Sequence, residues 1–145
     1  MALFLFPKAI LQGQPLDLFK HGKMVRDFTY IHDIVEAVIR VLDKPATPYP
    51  ASNPAQPDPA TSDAPHRVFN IGNSLPTLLM DFIQALEAAL GHEAQKNYLP
   101  MQAGDVPATN ADTRELYAWF GFKPDTHVTQ GAQLFVEWYR ELYKS

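Results

Sequence analysis

The chain has 145 residues, of which 46% are hydrophobic and 19% are charged, and its formal net charge is -4. This length predicts one domain that buries roughly 68–70% of the surface of its unfolded chain. The acidic balance and the scattered Lys and Arg residues argue against the basic face that nucleic acid or an anionic membrane requires. Because there is no cysteine, disulfides, thiolate nucleophiles and cysteine-rich zinc sites are excluded.

The first segment predicts a helix over residues 2–12 that ends at Gly13, with Leu3, Phe6 and Ile10 on one face. The opening MALFLFPKAIL is apolar enough to suggest a signal peptide, but it has no basic start and no cleavage site follows it. No stretch of the sequence reaches the ~18 apolar residues of a membrane helix. We therefore expect a cytoplasmic protein.

Strand-forming and helix-forming patterns alternate in the next forty residues. The predicted elements are a strand over 15–19, a turn at His21-Gly22, a strand over 24–31 and a helix over 31–42 that ends at Lys44-Pro45. The strands are predicted from β-branched and aromatic residues. The helix is predicted because its apolar residues recur at three- and four-residue intervals.

Residues 45–66 hold seven of the 13 prolines. Each proline removes a backbone donor, and so few apolar residues cannot form a core. We interpret this segment as a surface loop or a disordered insertion within one domain over residues 1–145. A linker between two domains is the alternative, but the flanking segments look too small to fold separately.

The remaining sequence again predicts both strands and helices. The predicted elements are a strand over 67–71, a helix over 77–90 that ends at Gly91, a strand over 96–99, a helix from a capping-box pattern at Asp112–Glu115 to Gly121, and a helix over 128–143. The expected fold class is therefore α+β for the chain in isolation.

Several common chemistries have no pattern here. The five histidines do not pair at i+3 or i+4, so no local metal site is predicted. No G-x-S-x-G or phosphate-binding G-x-x-x-x-G-K-S/T motif is present. Two carboxylates could still lie close together in the folded chain. A hydrolase is therefore not excluded, but no residues of the sequence indicate one.

Arg26 and Asp27 interrupt a predicted strand. Neighbouring residues of a strand face opposite sides, so the two charges do not pair with each other. Arg26 could lie on a solvated face while Asp27 caps a nearby turn. Alternatively Arg26 holds an anion, since a guanidinium on a rigid strand suits phosphate.

Four segments in order resemble the extended short-chain dehydrogenase/reductase nucleotide-sugar enzymes. They are MALFLFPKAILQGQPLDLF, GKMVRDFTYIHDIVEAVIRVLDKP, RVFNIGN and PMQAGDVPATNADTRELYAWFGFKP. Two features resemble the UDP-glucuronate 4-epimerase branch of that family. They are the Pro-rich insertion before RVFNIGN and the sequence PMQAGDVPAT. The resemblance covers nearly the whole chain.

Two motifs of that family are missing. No three glycines have the G-x-x-G-x-x-G spacing that holds the dinucleotide, and no tyrosine is followed four residues on by lysine. The resemblance therefore implies the C-terminal, substrate-binding portion of such an enzyme, beginning at a methionine that is internal in the family. NAD is the cofactor of the full-length family, and we expect none to be bound by this chain alone.

The resemblance also implies site residues. Arg26 corresponds to the arginine that contacts the UDP diphosphate, and Asp27 to a structural partner of backbone amides. Leu18 and Phe19 match the strand bordering the uracil pocket, where Phe19 could stack on the base or belong to the core. Asp105 approaches the ribose or holds its loop, and Gln102 stands where galactose epimerases carry an arginine. No catalytic or metal-binding residue is expected.

The expected function is UDP-sugar binding for an NAD-dependent epimerase of UDP-glucuronate, weak and without catalysis in this chain alone. Alternatives are a non-enzymatic assembly domain, or half of a split enzyme completed in trans by a Rossmann chain. The parent could also be a UDP-glucuronate decarboxylase or a dTDP-glucose dehydratase. We expect the apolar faces of helices 31–42 and 128–143 to meet a Rossmann half or a second copy.

Overall fold

The computed structural model describes residues 2–144, and side chains from residue 3 onward. Five α-helices are described: Ala2–Leu11 (α1), Ile31–Asp43 (α2), Leu79–Leu90 (α3), Arg114–Phe120 (α4) and Val128–Tyr143 (α5). Four short strands are described: Leu16–Leu18 (β1), Val25–Asp27 (β2), Pro76–Leu78 (β3) and Lys96–Tyr98 (β4). None of these helices is long and apolar enough to cross a membrane.

The chain folds into two compact units that are interleaved in sequence. The first comprises the described residues of Met1–Phe28, Leu75–Asn110 and Thr126–Ser145, and the second comprises Thr29–Ser74 and Ala111–Asp125. The Pro-rich segment lies inside the second unit rather than between the two. A single domain with an insertion stays a prediction.

The first unit contains two small sheets. β1 pairs in parallel with β4, with Leu16 opposite Lys96, and β2 pairs antiparallel with β3, with Arg26 opposite Thr77. Each strand is only three residues long, so each pair is stable only because helices cover it. β1 buries Leu16 and Leu18 on either side of the exposed Asp17, as the two-residue period of a strand requires.

The core of the first unit lies among α1, α3 and α5. α3 contributes most of it, because Phe82, Ile83 and Leu86 are almost fully buried along one face. Phe28 stacks on Phe82 with their ring centroids 4.4 Å apart. This packing continues into the segment that carries Arg26, so the helical core holds β2 in place.

Several predicted elements need correction. The strand over 67–71 is not formed in the described chain, where Arg67 makes a single bridge to Thr61. Its sequence is strand-like, but a strand exists only with a partner edge to accept its hydrogen bonds. The strand over 24–31 is limited to Val25–Asp27, and the helix predicted from residue 77 begins at Leu79, after β3.

A left-handed turn follows the predicted strand 15–19. Lys20 and His21 have φ values of 51°, and Gly22 follows at 75°. The predicted turn at His21-Gly22 is thus confirmed, and it starts one residue earlier, after Phe19. The His21 amide donates to the Leu99 carbonyl at 2.9 Å, which fixes this turn beside β4.

The predicted capping box is wrong in detail. Thr113 is the N-cap of α4 and makes no capping hydrogen bond with its side chain. Asp112 instead accepts from the Arg114 amide at 3.1 Å and also binds the Arg114 guanidinium. The carboxylate is better satisfied by a guanidinium than by amides alone.

The Pro-rich segment of the second unit is a surface loop with defined turns. Asp58 accepts from the Ala60 amide at 2.9 Å, and Asn53 accepts from the Ala55 amide at 3.0 Å. These are the turns that Asn and Asp favour in loops. The Tyr49 amide donates to the Ser62 carbonyl at 2.7 Å and closes the loop.

Candidate functional site

A cavity of about 590 Å³ opens in the first unit, a size typical of small-molecule sites. The described residues that line it are Leu5, Phe6, Lys8, Ala9, Gln14, Pro15, Leu16, Asp17, Phe19, Met24, Arg26, Phe28 and Leu79. Most of this surface is apolar, with two cations and one carboxylate among the side chains. A few polar groups on an apolar wall are what a ligand site uses for orientation.

The strand geometry of β2 explains which residues face the cavity. Met24, Arg26 and Phe28 line it, whereas Val25 and Asp27 do not. Alternate residues of a strand share a face, so this pattern is the one that the two-residue period predicts. The adjacent charges of Arg26 and Asp27 therefore belong to different surroundings.

Arg26 is half-buried and has no acidic partner in the part of the chain that the structure describes. Its Nη1 donates to the Val25 carbonyl at 2.8 Å, and its Nη2 lies 3.9 Å from the Met24 Sδ. A guanidinium has five N–H donors, so several of them are available to a ligand. The cavity thus presents a fixed positive charge without an internal counter-charge at that point.

The edge of β2 that does not pair with β3 holds the loop over 102–110. The Val25 amide donates to the Pro107 carbonyl, and the Thr109 amide donates to the Val25 carbonyl, both at 3.2 Å. The Asp27 amide donates to Thr109 Oγ1 at 3.2 Å. Thr109 therefore anchors the loop to the strand that carries Arg26, a role that the sequence left open.

The structure brings two of the five predicted site residues into one cavity. Arg26 and Phe19 both line it, and Phe19 is half-buried. Leu18 is 0% exposed and packs in the core, so its side chain offers no surface to a ligand. Gln102 and Asp105 are exposed and joined by a turn, in which the Asp105 amide donates to the Gln102 carbonyl at 3.2 Å. Neither of them lines the cavity.

Two charged residues of the cavity were missed by sequence reasoning. Lys8 is the only charge in α1, and it follows Leu5 at helical spacing, which puts both on the face that meets the cavity. That single charge on an apolar helix was the available signal. Asp17 is the middle residue of β1, and its Oδ1 accepts from Asn97 Nδ2 at 2.8 Å.

A second cavity of about 410 Å³ lies between α3 and α5, lined partly by Ala85, Ala88 and Ala89. Its one guanidinium, from Arg140, donates to the Leu90 carbonyl at 2.7 Å and so belongs to the packing of the two helices. It holds no predicted site residue. We therefore assign the candidate site to the cavity beside Arg26.

Two ion pairs outside the cavity shift the pKa values of their acids. Burial raises the pKa of Glu87, but the hydrogen bonds from Lys96 and the Ala94 amide, together with the Lys96 charge, outweigh it and lower the pKa. Hydrogen bonds from Arg114 lower the pKa of Asp112 to about 2. Both pairs act on stability rather than on a ligand.

The described residues do not fit NAD or a metal. A dinucleotide requires a strand that runs through a glycine-rich turn into a helix N-terminus, whereas the two sheets here have two strands each. No group of three or more His, Asp or Glu side chains converges within residues 2–144. No step of a reaction can therefore be assigned to either group in this chain.

The chain is similar to known proteins over almost its whole length. A model described as the NAD dependent epimerase/dehydratase family matches residues 2–72. The protein CapI of Staphylococcus aureus is 51% identical over 144 residues, which are 99% of this chain and 43% of CapI. A probable UDP-glucuronate 4-epimerase of Rhizobium meliloti is 45% identical, covering 99% of this chain and 42% of that protein. The chain is similar to members of the NAD-dependent epimerase/dehydratase family.

A solved structure shares the fold of this chain. The UDP-glucuronic acid 4-epimerase of Bacillus cereus, in complex with UDP-glucuronic acid and NAD, superposes with a TM-score of 0.78 at 26% identity. The match covers 99% of this chain and 40% of that structure. The predicted resemblance and the mixed helix-and-strand class are thus confirmed. The chain spans less than half the length of the relatives it matches.

Proposed function

We propose that this chain is the nucleotide-sugar-binding portion of an NAD-dependent epimerase, and that the cavity beside Arg26 holds a UDP-sugar. The observation that carries the proposal is that Arg26, which has no acidic partner among the described residues, shares one cavity with Phe19. A guanidinium binds a phosphate through parallel charged hydrogen bonds. An aromatic ring on the same wall can stack on a base.

Within this proposal each residue has a separate role. Arg26 binds the diphosphate and Phe19 contacts the uracil, while Leu18 acts through the core by fixing the strand end before Phe19. Gln102 and Asp105 approach the ribose from the loop that Thr109 anchors to β2. The loop is exposed over its whole length, which leaves it free to contact a bound nucleotide.

UDP-glucuronate is the substrate that we propose for the parent enzyme. Its support is the relative named a probable UDP-glucuronate 4-epimerase at 45% identity, together with the Bacillus cereus structure that contains UDP-glucuronic acid. The matching dTDP-glucose 4,6-dehydratase of Bacillus anthracis is only 21% identical, so it speaks for the fold alone. A cytoplasmic location is part of the same proposal.

We expect the chain alone to bind UDP-glucuronate weakly. One charged hydrogen bond contributes only about 1.5–3 kcal/mol, and a millimolar Kd corresponds to roughly 4 kcal/mol. When UDP-glucuronate is titrated into the chain to about millimolar concentration, NMR should therefore show saturable shifts of the amide signals near Phe19 and Arg26. Arg26→Gln should abolish these shifts, whereas Arg114→Gln, which removes the same charge from an 88% exposed side chain, should leave them.

Catalysis is not expected from this chain. Epimerisation at C4 needs a redox partner and a base, and the sequence has neither the dinucleotide motif nor the tyrosine and lysine pair of the family. Incubation with NAD and UDP-glucuronate should give no UDP-galacturonate by anion-exchange chromatography. Turnover above that of a buffer control would contradict this part of the proposal.

A second candidate function is assembly with a Rossmann-type chain, and the second unit favours it. The apolar side chains that α2 exposes are Ile31, Val35, Val38, Ile39, Val41 and Leu42. The same unit holds the strand-like segment 67–71, which has no strand partner. A bare amphipathic helix followed by an unpaired strand-like segment suits the edge of another sheet, and the chain spans only 43% of CapI.

The oligomeric state tests this second candidate. Left bare, such a face should make the chain self-associate in light scattering at high concentration. Val38→Asp with Leu42→Asp should give a monomer of unchanged stability, because both side chains are exposed, whereas His32→Asp should not change the association. Co-expression with the Rossmann portion of a relative should give a complex that the double variant loses. A clean monomer that captures no such portion would contradict the candidate.

A further inference from the structure

The cavity beside Arg26 contains a second cation, Lys8, that has no partner. No side chain in the described chain forms a hydrogen bond or ion pair with its ammonium group, and it is exposed at the wall of the cavity. Lys96 is different, since it is bound to Glu87. Lys8 is thus a charge without a partner among the described residues, and it lines a candidate anion site.

The charges of the cavity favour a ligand with more than one negative charge. The lining side chains include Lys8 and Arg26 as cations and Asp17 as the acid. Asp17 is oriented by its hydrogen bond from Asn97, so one of its oxygens is already occupied. The lining keeps a net positive charge, and the apolar side chains around it lower the local dielectric and strengthen the attraction.

We propose that Lys8 and Arg26 together bind the diphosphate, with Arg26 on one phosphate and Lys8 on the other. This inference rests on the proposed function and adds a binding residue to it. The two cations come from different elements, α1 and β2, so the packing of those elements sets their spacing. Lys8 also supplies the second charge that Gln102 cannot, because an amide carries none.

Titration of inorganic pyrophosphate and of UDP into the full chain tests the pairing, with the Lys8 side-chain NMR signal as the direct readout. Pyrophosphate should shift the Lys8 Cε signal with the same saturation curve as the Arg26 signals. Lys8→Gln should weaken UDP about three- to fivefold, as expected for a partly exposed charge pair. Uridine, which has no phosphate, should bind Lys8→Gln and wild type equally.

The control is Lys123→Gln, which removes the same charge from an exposed residue of the second unit. It should bind UDP as the wild type does, and Lys8→Arg should retain binding because it keeps the charge. If the wild type binds UDP and Lys8→Gln matches Lys123→Gln, Lys8 only balances the helix dipole and this inference is overturned. If the wild type binds neither UDP nor pyrophosphate, the proposed function fails together with it.

Discussion

At the scale of single residues, the strand that carries Arg26 shows how two adjacent opposite charges are accommodated. Arg26 faces a cavity that Asp27 does not line. The alternation of a strand makes this separation predictable from sequence. What the sequence could not show is which distant residues share that cavity with Arg26, because Lys8 and Phe19 line it only through the packing of α1 and β1.

The planar guanidinium of Arg26 predicts that arginine and lysine at this position bind UDP with different affinities. Arg26→Lys keeps the charge but loses the parallel donors, so we expect about a tenfold increase in the Kd for UDP, or roughly 1.4 kcal/mol. Calorimetry of UDP binding at low salt measures it. An unchanged Kd would mean that only the positive charge at this position contributes to binding. The same titration of Arg114→Lys serves as the control.

The Glu87–Lys96 ion pair predicts a pH dependence of stability. Folding lowers the pKa of Glu87 from its usual 4.5, so the stabilisation is fully present above that pH and is lost as the pH falls through the lower folded-state pKa. Glu87→Gln should reduce the free energy of unfolding by about 1–2 kcal/mol at neutral pH. Urea unfolding should show the variant and the wild type converging in acid.

Glu93→Gln is the control for that experiment, since Glu93 is exposed near the same helix end. It should unfold as the wild type does at every pH. A deficit of Glu87→Gln that persisted unchanged in acid would show that the charge of Glu87 is not what stabilises the turn between α3 and β4.

At the scale of elements, turns decide where the short strands lie. Gly22 has φ 75°, and a Cβ there would lie 2.9 Å from Met80 Sδ. Gly13 has a similar φ of 63° but nothing within 4 Å of its Cβ position. The two glycines therefore separate backbone strain from steric contact, and only Gly22 lies in the turn after Phe19.

Replacement of each glycine by alanine tests this separation. Gly13→Ala should cost about 1 kcal/mol of unfolding free energy, the usual penalty for a left-handed residue. Gly22→Ala should cost about 2 kcal/mol or more, because Met80 must also move. Thermal and urea unfolding measure both, and equal losses would refute a steric role for Met80.

Helices were more predictable than strands in this chain. The faces of α2 and α3 follow from periodicity, and Gly91 ends α3 in the left-handed conformation at φ 71°, as predicted. The prediction of a strand over 67–71 was wrong because a local sequence pattern indicates only strand propensity. It does not indicate whether a partner strand is present to accept hydrogen bonds. β3 was missed because Pro76-Thr-Leu78 is too short to show alternation, and β2 alone defines it.

The core of the last helix was only partly predictable. Ala132 and Tyr139 are buried as their spacing indicates, but Leu142 is 55% exposed. This exposed end, like the bare face of α2, marks where periodicity predicts burial that the described chain does not provide.

At the scale of the whole molecule, the length of the chain limits what its relatives can say about it. The matches include 99% of this chain, but they include only 43% of CapI and 42% of the Rhizobium meliloti protein. The resemblance and the fold were predictable because four motifs occur in order. The ligand, the partner and the activity stay proposals, because the chain spans less than half of these relatives.

The measurement that tests the central claim most directly is the set of intermolecular NOEs between UDP and the chain. At saturating UDP we expect contacts from the uracil H5 and H6 protons to the ring of Phe19, and shifts of the Arg26 side-chain signals. Uracil contacts confined to the exposed face of α2, or no contacts at several millimolar UDP, would contradict the assignment of the cavity beside Arg26 as a nucleotide-sugar site.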